Sequence, residues 1–359
     1  MNQEKKIVLV ELTTYHEECL FTQIKFLSEA NYDITLVINP SNSKNIEHYG
    51  ITIDKIKFFN PRASSFFIKR IFKWLELYRF FIKNKFEKVI FNTASSNKEV
   101  IALTKFLPKR MHCFGVIHNL KKLNSSSSQK IINKRIKDYY VLNDFLENST
   151  LLKNKKIKLH SFYPTFFPNY PAAEILNKNN DIWISIPGEL NYNRRDYSTI
   201  LSALGSQNRF LNLKIIILGK MNPNHDDTKA FMLQVNQLNL SSQIIKFNNF
   251  ISNEVFHTYL RQSNYIMAPV SLKEKSYLNY KITGAYNLAF AYKKILICPE
   301  ELEIIPDLKS NSVFYSEENS LTELFSKISK GDLIKKGNYE DEKWNFDYQQ
   351  QQYLKLLAK

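Results

Sequence analysis

The chain has 359 residues, of which 44% are hydrophobic, more than one core usually holds, so two domains of roughly 150 to 200 residues are expected and a small stapled module is excluded. The formal charge is +16, and residues 51–137 alone contain 20 basic and 4 acidic side chains, so the rest of the chain sums to zero. Such a block either keeps a domain in water or meets an anionic partner: a membrane surface, a nucleic acid or a phosphorylated substrate. Cys19, Cys113 and Cys298 are odd in number and widely spaced, with no CxxC pair, which excludes a zinc site of the usual pattern and fits a reduced, cytoplasmic compartment. The start MNQEKKIVLVEL reads as a strand rather than a signal segment, and no apolar run approaches the ~20 residues needed to cross a bilayer.

In chain order, Lys6 to Leu12 is a short β-branched run, followed by a polar turn and a helical pattern from Glu17 to Ala30, then a strand from Asp33 to Asn39. Strand, helix, strand at this spacing is a βαβ unit with parallel strands. Further strands are predicted at Ile51–Phe59, Lys88–Asn92, His112–His118 and Asp138–Leu142. The segment SFYPTFFPNYP, residues 161–171, carries three prolines and reads as a connector. Alternation then resumes with strands at Asp181–Ile186, Leu213–Leu218, Ile244–Phe247, Tyr265–Ala268 and Ile295–Cys298, separated by helices near 196–205, 227–238, 252–262 and 282–292. The expected organisation is an N-terminal α/β domain over 1–165, a second over 166–340, and a terminal amphipathic segment, 341–359, free to pack back on the first.

Ligands of open parallel sheets bind beyond the carboxyl ends of the strands. After the first strand, TTYHEE places His16, Glu17 and Glu18 at a helix start, where they either cap the helix or supply a general base, His16 or Glu17. No GxGxxG stands there, which counts against a dinucleotide fingerprint. Asn92 and Thr93 close VIFNTA, and His118 and Asn119 close FGVIHNL; these strand ends could line a site for an acceptor. In the second half, IPGELNYNRRDY offers Gly188 for close backbone approach and Arg194 and Arg195 beside a helix start capped by Asp196, suited to a diphosphate unless the turn is merely exposed. The segment SLKEKSYLNYKITGAYNLAFAYKK adds Glu274, then Lys281, Thr283 and Gly284 at a second phosphate-friendly helix start.

Taken together, IPGELNYNRRDYSTILSAL, KIIILGK, the run IIKFNNFISNEVFHTYLRQSNYIMAPV and the phosphate-binding helix start resemble the donor half of glycosyltransferases of the GT-B fold, similar in layout to family 4 and its relatives. The resemblance implies two Rossmann-like α/β domains with parallel sheets facing across a cleft. It also implies a nucleoside-diphosphate sugar as donor substrate, an acceptor held by the first domain, and no metal or other cofactor. Gly188 and Arg194 match the donor motif; Lys281, Thr283 and Gly284 match the pyrophosphate helix; Gly219, Glu274 and Tyr280 complete the donor set; His118 matches a histidine at the cleft edge. Two departures weaken a retaining assignment: Ile282 stands eight positions after Glu274, where a second glutamate is usual, and TTYHEE replaces a glycine pair after the first strand. An inverting displacement with His16 or Glu17 as base is therefore favoured.

Within the basic block, residues 65–88 place Lys69, Lys73, Glu76 and Lys83 on one polar stripe, while Phe66, Phe67, Phe72, Trp74, Phe80 and Phe81 exceed what a roughly 100° core-facing stripe requires. The surplus is either buried under neighbouring elements or offered to an anionic membrane. No nucleic-acid-binding signature accompanies it. The expectation is a cytoplasmic, membrane-peripheral glycosyltransferase that extends a surface glycan. The alternatives are a catalytically silent nucleotide or glycan binder and a basic nucleic-acid-binding protein.

Overall fold

The structure is a computed structural model of the chain and describes residues 5–50, 53, 55–60, 67–95, 97–206, 210–271, 273 and 275–358, with the side chains of Glu17, Phe67 and Ser125 left out. It divides into two compact units. The first comprises Met1–Asn169, Asn279–Lys281 and Asn345–Lys359; the second comprises Tyr170–Leu278 and Ile282–Trp344.

The first unit holds a parallel sheet of seven strands: β1 Lys5–Glu11, β2 Tyr32–Ile38, β3 Lys55–Phe58, β4 Lys88–Phe91, β5 His112–Val116, β6 Asp138–Val141 and β7 Lys158–Ser161, in the order β3-β2-β1-β4-β5-β6-β7. In β1, Ile7 to Val10 are all buried, the continuous apolar run expected of a strand covered by helices on both faces. The second unit repeats the plan with six strands: β8 Ile182–Pro187, β9 Leu213–Lys220, β10 Ile244–Phe247, β11 Tyr265–Met267, β12 Ile295–Pro299 and β13 Ser312–Tyr315, in the order β10-β9-β8-β11-β12-β13. Ile186, Leu201, Ile215, Phe231 and Phe325 are at the centre of its core. Each sheet reverses its strand order once, between β1 and β4 in the first and between β8 and β11 in the second.

Two edge strands, β7 and β13, go beyond the strands predicted from sequence. Their sequences, KLHS and SVFY, lack a continuous buried run because an edge strand is covered less completely than a central one. The stretch 161–171 is also more than a connector: it begins in β7, and Phe162 and Tyr163 are fully buried in the first unit. Prolines hold this stretch extended while its aromatic rings pack, Phe166 against Phe26 and Phe346.

The terminal helix Phe346–Leu357 is part of the first unit. Tyr353 stacks on Tyr140 with ring centroids 4.5 Å apart and donates to Gln23 Oε1 at 3.0 Å, while the Tyr140 hydroxyl donates to the Tyr353 carbonyl at 2.7 Å. All three side chains are fully buried, so each polar atom needs its partner.

The helix Phe67–Asn84 has two apolar faces. Leu77 and Phe81 are buried, and Trp74 packs on Phe59 at 5.2 Å. On the opposite face Ile68, Ile71, Phe72, Leu75 and Tyr78 are exposed, Ile68 and Phe72 by 67% and 66%. The aromatic surplus is thus divided: Phe81 is buried and Phe72 is bare, while Phe66 and the Phe67 side chain lie outside the described residues. Lys57 pairs with Glu76 and Lys55 donates to Asn84 Oδ1 at 3.0 Å, tying the helix to the edge strand β3, where Ile56 and Phe58 are also exposed. No described helix is long and apolar enough to cross a membrane.

Replacing Tyr353 tests the docking of the terminal helix. Tyr353→Phe should lower stability by about 1 to 2 kcal/mol by leaving Gln23 Oε1 unpaired, and Tyr353→Ala by about 3 to 5 kcal/mol through the cavity it adds. Urea unfolding midpoints of the two variants check the ranking.

Candidate functional site

At the carboxyl end of β1 the apolar run stops at Glu11, which is completely buried. Its Oε1 accepts from the Thr13 amide at 2.7 Å and the Thr13 hydroxyl at 2.6 Å; its Oε2 accepts from Asn92 Nδ2 at 2.7 Å and the Thr93 hydroxyl at 2.6 Å. All of these donors are neutral. Burial accordingly pushes the carboxyl pKa up, against the four hydrogen bonds that oppose the rise.

Asn92 follows β4 and is the hub of the cluster. Besides Glu11, its Nδ2 donates to the His16 carbonyl at 2.7 Å, its Oδ1 accepts from Gln23 Nε2 at 2.6 Å, and its own carbonyl faces His118 Nε2 at 2.8 Å. His16 has φ +70°, a left-handed conformation that costs a non-glycine residue about 1 to 2 kcal/mol. Its ring lies flat on that of His118, centroids 3.8 Å apart and 12° between planes, and its Nδ1 is 3.4 Å from Glu18 Oε1. Desolvation raises the Glu18 pKa, but the His16 hydrogen bond and the charge of His16 outweigh it and hold the carboxyl below its usual range.

For His118, burial first and the charge of His16 second push the pKa down to about 3. The ring is neutral at physiological pH. With Nε2 directed at the Asn92 carbonyl, the proton sits on Nε2 and the Nδ1 lone pair is available.

The strand-end residues expected from sequence therefore converge in the first unit. His16, His118, Asn92 and Thr93 form one cluster. Asn119, half-buried beside His118, accepts from the Lys121 amide at 3.0 Å. Asn92 and Thr93 are buried, with their side chains engaged inside the protein. The Glu17 side chain lies outside the described residues. Glu11, Thr13 and Gln23 were not singled out from sequence; a lone carboxylate ending the apolar run KIVLVE was the available signal.

In the second unit, β8 runs into Gly188 at φ +99°. Arg195 lies across this glycine, its guanidinium donating to the Pro187 carbonyl at 2.7 Å and to the Glu189 carbonyl. A Cβ at Gly188 would come within 2.5 Å of Arg195 Nη2, and one at Gly219, at the end of β9, within 2.3 Å of the Gly188 carbonyl oxygen. The two glycines thus let the loop, Arg195 and β9 close on one another, so their small size serves protein packing here. Arg194 is exposed, with Nε donating to the Tyr277 hydroxyl at 3.2 Å. The 194–196 turn is strapped beyond β11 by Asp196 N to Pro269 O at 2.8 Å and Ser271 N to Arg194 O at 2.9 Å, which holds it at the point where this sheet reverses.

The helix Gly284–Ala291 begins at Thr283, which is buried and whose hydroxyl makes no capping hydrogen bond. Nothing lies within 4 Å of a Cβ built at the exposed Gly284, while the Tyr286 amide in the first turn donates to the Thr283 carbonyl at 3.1 Å. Tyr280 and Lys281 belong to the first unit, where the Tyr280 carbonyl accepts from the Leu120 amide at 2.9 Å. Glu274 lies outside the described residues. Among the described residues no group of three His, Cys, Asp or Glu side chains could hold a metal ion.

No protein-family model matches the sequence, and no curated protein matches it. Solved structures do. HepE of Anabaena, in complex with UDP and glucose, is 12% identical with a TM-score of 0.68, covering 99% of this chain and 100% of that one. A glycosyltransferase from Rickettsia africae is 13% identical with a TM-score of 0.64, covering 99% and 98%. The UDP-GlcNAc 2-epimerase of Methanocaldococcus jannaschii is 13% identical with a TM-score of 0.61, covering 99% of each chain. The chain has the GT-B fold. In GT-B terms, the His16–His118 cluster is at the strand-order reversal of the N-terminal domain, and the Gly188–Arg194–Arg195 turn at that of the C-terminal domain.

The depressed pKa of His118 fixes a pH dependence. Its folded value, about 3, is below the ordinary 6.5, and burial holds His257 down to about 4 in the same way. Each contribution is complete above about pH 6.5 and is lost as pH falls, because the unfolded chain takes up protons that the folded chain refuses. Unfolding free energy should therefore drop between pH 6.5 and 4 with a slope approaching 1.4 kcal/mol per pH unit for each histidine. In His118→Asn the slope should flatten; denaturant titrations at pH 7 and pH 5 measure it.

Proposed function

We propose that the protein is a nucleotide-sugar glycosyltransferase that moves a sugar from a nucleoside diphosphate to a hydroxyl of a growing surface glycan, inverting the anomeric centre and requiring no metal. The observation that carries this reading is the pairing of His16 with Glu18 at the strand-order reversal of the N-terminal domain. With the Glu18 carboxylate on Nδ1, the Nε2 of His16 is the basic nitrogen, and a carboxylate-backed imidazole is a suitable general base for a hydroxyl. His118, neutral and stacked beneath, orients the ring and offers its Nδ1 lone pair to a sugar hydroxyl.

On the donor side, the first turn of the helix Gly284–Ala291 and the Thr283 hydroxyl, with Arg194, would take the diphosphate. The nucleoside diphosphate leaves as a dianion or trianion, and positive charge with helix amides stabilises it in the role a metal would otherwise fill. Arg195 acts through the loop it braces, and Asn92 and Thr93 act by holding the histidines. HepE, whose structure contains UDP and glucose, supports a uridine nucleotide as the first donor to try.

A second reading is favoured by the UDP-GlcNAc 2-epimerases among the similar structures: a nucleotide-sugar isomerase with the same two half-sites. The two separate in one assay. Incubation with UDP-glucose or UDP-GlcNAc and no acceptor should leave the donor unchanged apart from slow hydrolysis for the transferase, whereas an epimerase would yield a second sugar nucleotide. His16→Ala should lower kcat for transfer about 10² to 10⁴-fold while UDP still raises the melting temperature. A variant that retains full turnover would sink His16 as the base.

The acceptor is proposed to be lipid-linked and reached at an anionic membrane, with the protein peripheral on its cytoplasmic face. The support is the exposed apolar stripe Ile68, Ile71, Phe72, Leu75 and Tyr78, flanked by Lys69, Arg79 and Lys83 and carried by the block that accounts for the whole net charge of the chain. Co-sedimentation with vesicles containing phosphatidylglycerol should exceed that with phosphatidylcholine alone. It should weaken with salt, and fall at least several-fold in Phe72→Ser/Leu75→Ser.

A further inference from the structure

We propose that Glu11 is a positioning residue for His16: through Asn92 it holds the His16 backbone in its left-handed turn and so sets the two stacked imidazoles. The inference rests on the reading of His16 as the base for its catalytic meaning, and on geometry alone for its structural content.

Position 11 continues the buried run Ile7 to Val10, where an apolar side chain would meet no cost of desolvation. A carboxyl is there instead, with no exposed surface and four hydrogen bonds filling both oxygens. It is too enclosed to touch a substrate. What those bonds do is fix two adjacent turns. The two on Oε1 shape the turn through Thr13 that leads to His16. The two on Oε2 hold Asn92 and Thr93 where the chain leaves β4.

Asn92 converts that grip into ring placement. Its carboxamide is oriented from two sides, Glu11 accepting from Nδ2 and Gln23 donating to Oδ1. So oriented, Nδ2 also reaches the carbonyl of His16, while the Asn92 main-chain carbonyl holds the ring of His118. One residue thereby references both imidazoles to a single point, and Glu11 holds that point through one hydrogen bond from Asn92 and one from its neighbour Thr93. A strained turn persists where its surroundings over-determine it, and here the His16 carbonyl accepts both from Asn92 Nδ2 at 2.7 Å and from the Cys19 amide at 3.3 Å. Glutamine cannot replace the carboxyl, because its amide nitrogen would present hydrogens to donors on one side or the other.

The test uses the full chain with ¹⁵N-labelled histidine. In Glu11→Gln the ring-nitrogen signals of His16 and His118 should shift from their wild-type positions, and transfer from UDP-glucose, or its acceptor-independent hydrolysis, should lose at least tenfold in kcat with KM for the donor nearly unchanged. Thr93→Val, which removes one bond to Glu11 and keeps a β-branched side chain, should move the same signals in the same sense by less, and remains readable if Glu11→Gln does not fold. Ring signals that stay at their wild-type positions in the folded variants would overturn the proposal whatever the activity. A wild-type protein with no activity on any nucleotide sugar, but with ring signals that respond to Glu11→Gln, would overturn the transferase reading and leave the positioning role standing.

Discussion

The chemistry of the first unit depends on a topological constraint: a parallel sheet in which the crossovers depart in opposite directions from β1 and β4. Neighbouring strands usually send their chains the same way and close the sheet end with loops. Where the directions diverge, the carboxyl ends of two central strands are left beside each other with a crevice above them. The Glu11–Asn92 network stands at the carboxyl ends of β1 and β4, with His16 and His118 hydrogen-bonded to it. The same constraint operates between β8 and β11, where the Gly188 loop and the Arg194–Asp196 turn are strapped into place.

Burial then decides which polar groups are tools and which are supports. Asn92, Thr93 and Arg195 belong to residue types that commonly meet ligands, yet each donates hydrogen bonds inside the protein. Thr283 is the reverse case: it stands at a helix start where a hydroxyl ordinarily caps, and it does not. The stack of His16 on His118 has an electrostatic side as well. Burial keeps the His118 ring neutral, so the stacked pair does not carry two charges 3.8 Å apart.

Much of this was legible in the sequence, and the rest was hidden for physical reasons. Central strands such as KIVLVE and KIIILGK announced themselves because both faces are buried, and the helices Tyr197–Leu204 and Asn253–Gln262 because one face is. The edge strands KLHS and SVFY carried no such run. Strand-end position alone pointed to His16, His118, Asn92 and Thr93. What position could not convey was direction: that Asn92 turns its amide toward Glu11 and His16, or that Arg195 folds back over Gly188, follows from three-dimensional contacts between residues up to 81 apart. Nor could the periodicity of 65–88 say which of its two apolar faces would be covered.

The hydrogen-bonded line from Tyr353 to Gln23, Asn92 and Glu11 has a temporal consequence. Its last member lies on the helix Phe346–Leu357, and the chain must be synthesised through the whole second unit before that helix exists. A nascent N-terminal domain can form its seven strands early, yet Gln23 then lacks the phenol that completes its bonding. The Gln23 end of the network is thus complete only once the C-terminal helix exists, whereas the histidines already have Asn92 and each other.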